Sequence, residues 1–537
     1  MTKLLTELRH IARTAGECAA LSGEQDRYTY RGLLAAVDGL AEELIQLGSR
    51  RVALLADNSP AWVIADLACL RAGVALIPIP GFFSAAQLAN TLRSSGAEIL
   101  ISDRTADDTQ LQGVLASKRE VSGFNGLPQL RVWPLEETQQ TANLPVGTVK
   151  ITYTSGSTGA PKGVCLSAEN LLATATALNS ALLATPLRRH LVVLPLATLL
   201  ENVAGVYAAL LRGAEVVMPS LQTLGWAGSS GLDVQALSAC LSDVQPDSAV
   251  LLPQLLKGLI ALAEQGQWQP PTSLQFLAVG GARVAPEQIT QARQLGLPVY
   301  EGYGLSECGS VVSLNTPSAE RAGCAGKILD HCQLDIVDGQ VMVKGNVYLA
   351  YLGSAEPQSE NTVATGDLGE LDEDGFLWLK GRSKNVLVSS YGRNISPEWP
   401  ESELLAYAGV AQCLVIGDAE AYCSALIFVT PSYRYDDIGR YIRECNQRLP
   451  DYAQIRRWAA LPRRLSVADG LLTANGRLRR QAIIAAYPEL VAHCYPSVAY
   501  PFGGVQRAYA SSQHQSELEL ASANLERIDP ASSGRGA

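Results

Sequence analysis

The stretch KITYTSGSTGAPKGV, residues 150–164, decides what kind of chain this is. Lys150–Tyr153 has the apolar, β-branched character of a strand. It runs into Thr154, Ser155, Gly156, Ser157, Thr158 and Gly159, with Lys162 just beyond. Small residues let backbone N–H groups approach phosphate oxygens, hydroxyls add donors, and the lysine supplies positive charge. Ser167 is placed to cap the next helix, with Glu169 in its first turn. The Walker A spacing is absent. A Ser/Gly linker has a similar composition, but linkers rarely sit tightly between an apolar strand and a helix.

On either side of this loop, short apolar strands alternate with amphipathic helices. Before it, Arg31–Leu47 and Ala61–Ala72 read as helices, and Arg51–Ala56 and Val74–Ile79 as strands. After it, LVVLPL (191–196), AEVVMP (214–219), DSAVLLP (247–253) and LQFLAVGG (274–281) continue the strand series. Such alternation predicts an α/β fold with mostly parallel sheets. From about 333 the pattern changes to hairpins around Asp338-Gly339 and Asp374-Gly375, a β-rich lobe. A compact α+β segment follows, with a helix from about Pro400, strands in CLVIGD and SALIFV, and a helix over Asp437–Arg448. The expected organisation is a large multi-lobed N-terminal domain (1–381), a hinge (382–385), a small mobile α+β C-terminal domain (386–504) and a disordered tail (505–537).

The 537 residues exceed one ordinary hydrophobic core. Apolar residues make up 47 % and charged residues 18 %, a globular balance, and the net charge of −10 argues against a nucleic-acid binder. The 11 cysteines show no CxxC pair and no metal-ligand spacing with histidine, so they read as free thiols in a reducing compartment. Early charges (Lys3, Glu7, Arg9, Arg13) spoil a signal peptide, and no apolar run of membrane-spanning length occurs. The cytoplasm is the expected location. Beyond Lys384 there is no lysine.

The 150–164 segment resembles the phosphate loop of the adenylate-forming (AMP-binding) superfamily, closest to acyl- and long-chain-type acyl-CoA synthetases. Further segments resemble that family in the same order, over about residues 20–490. VGGARV (279–284) looks like its adenine-edge loop, implicating Gly281 and Ala282. EGYGLSECG (301–309) is similar to its YGxTE element. The resemblance implies that Gly302, Tyr303 and Gly304 lie at the nucleotide and that Tyr303 packs on the adenine. Ser306, in place of threonine, would bond the α-phosphate, and Glu307 would hold Mg²⁺ together with Thr158. TGDLGELDEDGFLWLKGRSKN (365–385) implies ribose contacts from Asp367 and Arg382 and a hinge at Lys384. YGRNISPEWPE (391–401) resembles the thiol-tunnel loop, with Gly392 close to the tunnel and Glu401 as a helix carboxylate. GLLTANGRLRR (470–480) resembles the motif of the family's adenylation lysine, but Arg477 stands there, larger and differently solvated.

The resemblance implies an acid–thiol ligase that uses ATP and Mg²⁺ to form an acyl-adenylate, with Arg477, Lys162 and Glu307 catalytic and coenzyme A as acceptor. Candidate acid-pocket residues are Thr198 and Leu199 in LPLATLLEN (194–202) and Pro253 in VLLPQLLKGL (250–259). Thr198 takes the place of a histidine frequent in long-chain enzymes, Glu201 stands at the acidic position that follows, and no aspartate is present to pair with an amino-acid amine. A fatty or aryl acid is therefore the expected substrate. Two alternatives stay open: loading of a separate acyl carrier protein, and, because of Arg477, a non-catalytic nucleotide-binding protein.

Overall fold

The computed structural model describes residues 3–115, 123–135, 142–154, 162–227, 231–354, 361–473, 476–495 and 526–527. By packing they fall into two compact units. One takes in residues up to Ala282, Ile289–Thr365 and Gly369–Trp378. The other holds Arg283–Gln288, Gly366–Leu368 and the residues from Leu379 onward.

Two large sheets form most of the first unit, alongside the hairpin of Cys332–Val337 and Gln340–Gly345. In chain-neighbour order, the first runs Ala350–Tyr351, Lys162–Ser167, Thr148–Thr154, Ala75–Pro78, Arg51–Leu55, Ile99–Ser102, Arg131–Pro134. Its centre is parallel and its ends antiparallel. The second contains Val299–Tyr303, Phe276–Val279, Ser248–Leu251, Arg189–Leu191, Glu215–Val217 and Ala19–Ser22 as successive parallel neighbours. Helices start where the sequence supplies caps. Thr29 accepts from the Gly32 N–H before Tyr30–Leu47, and Ser59 from Trp62 N–H before Pro60–Ala72. Ser167 and Asn170 form a reciprocal capping box at the start of Ala168–Ala181, with Glu169 in the first turn as expected. The Asp338-Gly339 hairpin forms as expected between Cys332–Val337 and Gln340–Gly345. Both turn residues have positive φ (51° and 78°), the geometry a two-residue turn requires.

Several expectations need correction. The phosphate loop is followed by a strand, not directly by a helix. Lys162–Ser167 returns antiparallel to Thr148–Thr154; Val164, Cys165 and Leu166 are all buried, and Val164 and Cys165 pair on both sides. The LVVLPL strand is shorter and earlier than read, ending at Leu191. An opening helix, Lys3–Thr14, went unread; Leu4, Leu5 and Leu8 are its buried face. The expected disordered tail lies outside the described residues except for Glu526–Arg527, which pair with Trp458 and Arg457.

Charge is buried on both flanks of a π-helix, Glu201–Tyr207. On one flank Glu201, with no exposed surface, meets His190 Nε2 at 3.0 Å and accepts the N–H groups of Val193 (3.2 Å) and Leu194 (2.8 Å). His190 Nδ1 in turn lies 3.0 Å from Ser248 Oγ. On the other, Lys150 Nζ lies 2.9 Å from Asp66 Oδ1 and also bonds Asn202 Oδ1 and the Tyr207 hydroxyl. Asn202 and Tyr207 donate to Asp66 Oδ2 at 2.8 and 2.7 Å. Glu201, at the acidic position of the 194–202 segment, is thus a core residue.

The second unit is a sheet of Val410–Ile416, Cys423–Val429 and Ile455–Ala460 between helices. Alternation splits its strands between two cores. Val415 and Ile427 face Leu404, Ile438 and Trp458; Leu414 and Leu426 face Ile483 and Leu490. Glu401, on Glu398–Leu405, crosses from helix to sheet: it accepts the Val415 N–H at 2.7 Å and meets Arg480 Nη1 at 2.6 Å. Burial pushes its carboxyl up to about 7 despite Arg480. Between pH 4.5 and 7 the folded carboxyl therefore holds a proton that the unfolded one has lost. Stability of this unit should fall as pH rises through that window, by about 3 kcal/mol at most. Unfolding midpoints measured across it should decline for the native chain and stay flat for Glu401→Gln; parallel profiles would refute the assignment.

Candidate active site

Four adjacent parallel strands bring most of the candidate residues of the first unit to one edge. Arg189–Leu191 leads towards Thr198 and Leu199, and Ser248–Leu251 to Pro253. Phe276–Val279 leads to Gly281 and Ala282, and Val299–Tyr303 to Gly304, Ser306 and Glu307. Carboxyl ends of parallel strands are where α/β sheets bind ligands, because the loops there are free to diverge around a crevice. Leu199 is buried, and Thr198 is partly exposed with its hydroxyl donated to Pro195 O at 2.7 Å. Asn58 accepts the Leu196 N–H and donates to Leu194 O, fixing this segment from the side. Pro253 opens the helix Pro253–Glu264, whose Leu255, Leu256 and Leu259 are core, so the apolar run is largely packing.

The turn after Tyr303 is tightly wound. Ser306–Cys308 forms a single helical turn, Gly309 follows at φ 71°, and Ser310 holds φ 107°, a strained value for a residue with a side chain. A Cβ on Gly304 would lie 1.7 Å from Ser310 O, so only glycine fits there. Cys308 is fully buried and burial pushes its thiol well up, making it a packed residue rather than a nucleophile.

Ser155, Gly156, Ser157, Thr158 and Gly159 lie outside the described residues. Their two anchors are described: Thr154 and Lys162 face each other across the hairpin. The Lys162 ammonium lies 5.0 Å above the ring of Tyr351. The Tyr351 hydroxyl donates to Glu307 Oε1 at 2.9 Å. Among the described residues Lys162 has no carboxylate partner, and Glu307 accepts side-chain hydrogen bonds from Tyr351 alone. A lysine held against an aromatic face keeps its charge available to an anion. A half-buried carboxylate with one oxygen occupied by a hydroxyl suits a hard cation shared with phosphate. Among the described residues no group of three or more His, Cys, Asp or Glu could hold a metal by itself. Tyr351 was not anticipated; its signal was an aromatic following the Asn-Val-Tyr stretch, without distinctive spacing.

In the second unit Asp367 is buried and pairs with Arg382 Nε at 2.9 Å. Lys384 sits in the exposed turn Ser383–Asn385. Gly392, at φ 73°, makes the turn between Leu387–Val388 and Asn394–Ile395. Arg477 is exposed in a tight loop, where its N–H donates to Thr473 Oγ1 at 3.1 Å and its carbonyl accepts from Thr473 N–H.

A glycine loop and a Tyr-Gly-x-Ser-Glu turn on one sheet edge, joined through Tyr351 to a phosphate hairpin of the other sheet, are the arrangement of a nucleotide-binding enzyme. Comparison places the chain: it belongs to the AMP-binding enzyme family, whose model matches residues 8–350, and residues 384–499 match the AMP-binding enzyme C-terminal domain. It is 29 % identical over 468 residues to the long-chain-fatty-acid–CoA ligase FadD15 of Mycobacterium bovis, covering 74 % of this chain and 76 % of that one. It is 29 % identical over 441 residues to the 2-succinylbenzoate–CoA ligase of Bacillus subtilis, covering 77 % and 86 %. Among solved structures it is similar to the O-succinylbenzoate coenzyme A synthetase (MenE) of Bacillus subtilis in complex with ATP and magnesium ion. That match has a TM-score of 0.69, 25 % identity and coverage of 88 % and 97–98 % of the two chains across its AMP and ATP forms.

The close approach at Gly304 gives a direct test. Gly304→Ala should abolish ATP binding in calorimetry or unfold the turn, whereas Gly39→Ala, which meets nothing within 4 Å on a helix, should raise stability by up to about 1 kcal/mol. Equal behaviour of the two variants would contradict the tight turn.

Proposed function

We propose that this protein activates a fatty or aryl carboxylic acid with ATP and passes the acyl group to coenzyme A. The observation that carries this reading is the Lys162–Tyr351–Glu307 grouping beside the edge where the adenine-loop and acid-segment candidates converge. In the first half-reaction a carboxylate oxygen attacks the α-phosphorus, the bond to the β-phosphate oxygen breaks, and pyrophosphate leaves. Lys162 and the 155–159 loop bind the phosphates, Ser306 bonds the α-phosphate, and Gly281, Ala282, Gly302 and Tyr303 border the adenine. Glu307, with Thr158, holds Mg²⁺, which neutralises charge on the phosphates when bound. Asp367 and Arg382 bind the ribose. Arg477 supplies the positive charge that the family's lysine supplies; its guanidinium offers a wider fork of donors. In the second half-reaction the thiol sulfur attacks the acyl carbon and AMP leaves. Lys384 is the hinge for this change, and Gly392 lines the thiol path.

Support for the acid class comes from the absence of an aspartate in 194–200 and from relatives named for long-chain fatty acids and 2-succinylbenzoate. A carrier-protein thiol is the competing acceptor. Arg477 also favours a second reading, in which the first half-reaction is disabled.

ATP–pyrophosphate exchange with Mg²⁺ and a panel of fatty and aryl acids tests these readings. The native protein should exchange in an acid-dependent manner, and Arg477→Lys should stay within about tenfold of it, because both carry the charge. Exchange only in Arg477→Lys would establish the second reading. Lys384→Pro should reduce thioester formation at least about tenfold more than exchange, since proline removes the rotation a hinge needs. Equal loss of both steps would remove Lys384 from the hinge.

A further inference from the structure

Tyr351 stands between two candidate groups that meet different parts of a nucleotide. Its strand, Ala350–Tyr351, pairs with Cys165 and Val164 just past Lys162, and the Leu352 N–H donates to Gly163 O at 2.8 Å. The ring therefore belongs mechanically to the phosphate hairpin. Its hydroxyl belongs to the other sheet, through Glu307 Oε1. A second contact reinforces this junction. Tyr348 packs against Tyr351 with ring centroids 4.8 Å apart and donates its backbone N–H to Glu307 O at 2.8 Å.

We propose that Tyr351 is a positioning residue that sets Glu307 and Lys162 together, the hydroxyl aiming the carboxylate at the cation and the ring holding the ammonium for phosphate. Tyrosine joins a hydroxyl donor to an aromatic face in one side chain. With Oε1 engaged, Glu307 presents its other oxygen to Mg²⁺. With its ammonium over a ring, Lys162 is held without a competing carboxylate. The two functions separate by substitution: phenylalanine removes the hydroxyl and keeps the ring, and leucine removes both.

The proposal rests on the reading of Glu307 as the Mg²⁺ residue and Lys162 as the phosphate residue. Calorimetric ATP affinity, measured on the full chain with and without Mg²⁺, tests both. Native protein should bind more tightly with Mg²⁺. Tyr351→Phe should keep the Mg²⁺-free affinity and lose about tenfold or more of the Mg²⁺-dependent gain, the size expected of a hydrogen bond to a charged group. Tyr351→Leu should also lose Mg²⁺-free affinity. A Phe variant with the full Mg²⁺ gain would overturn the hydroxyl's role, and a folded Leu variant with native Mg²⁺-free affinity would overturn the ring's. Should the Leu variant not fold, the Phe variant decides. A native protein that gains nothing from Mg²⁺ would instead bring down the functional reading, and this assignment with it.

Discussion

The buried ion pair of Lys150 and Asp66 is the constraint around which the first unit is organised. Each side chain is at most 2 % exposed. Removing either partner would leave an uncompensated charge in the core, a loss of about 3–5 kcal/mol. Burial also pulls the Lys150 ammonium below its usual range, so only the surrounding acceptors justify its charge. Those acceptors come from two places in the chain, the helix Pro60–Ala72 and the π-helix, and they meet an ammonium carried by the strand that enters the phosphate loop. The π-helix places Asn202 and Tyr207 on this pair while Glu201 turns to His190 on a strand of the other sheet. The two sheets are thus tied through one short helix by hydrogen bonds that cannot be given up singly.

The active-site candidates inherit this rigidity. The strand carrying Lys150 is the strand that ends at Thr154, and the carboxylate of Glu201 fixes the backbone at Val193 and Leu194 just before the acid segment. Catalysis of phosphoryl transfer depends mainly on positioning and on charges arranged in advance. A site whose two banks are held by buried polar networks needs little further ordering when the nucleotide enters. The junction at Tyr351 and Glu307 continues the same principle at the surface, where hydroxyl, carboxylate, ring and ammonium take fixed places around the phosphate hairpin.

The motifs were legible because they are local. Gly304 and Ser306 stand in one turn, and Gly281 in one loop, so spacing along the chain already brings them together. The alternation of apolar strands with capped helices was equally plain, down to Ser167 and the Asp338-Gly339 turn. What could not be read depends on distant partners. Lys150 looked like the first residue of an apolar strand; its role needs Asp66, 84 residues earlier. Glu201 matched the acidic position of a family segment, but its burial against His190 is a tertiary fact that the segment does not show. Tyr351 joins residues brought together only by sheet pairing, and the strand at 162–167 was hidden because the loop before it promised a helix.

The central claim is attack by a carboxylate oxygen on the α-phosphorus of ATP, and isotope transfer reports that bond directly. An accepted acid carrying ¹⁸O in both carboxylate oxygens should, after one turnover with coenzyme A, leave a single ¹⁸O in the AMP and none in the pyrophosphate, as read by mass spectrometry. AMP without label, or label in pyrophosphate, would contradict an acyl-adenylate and the account built on it.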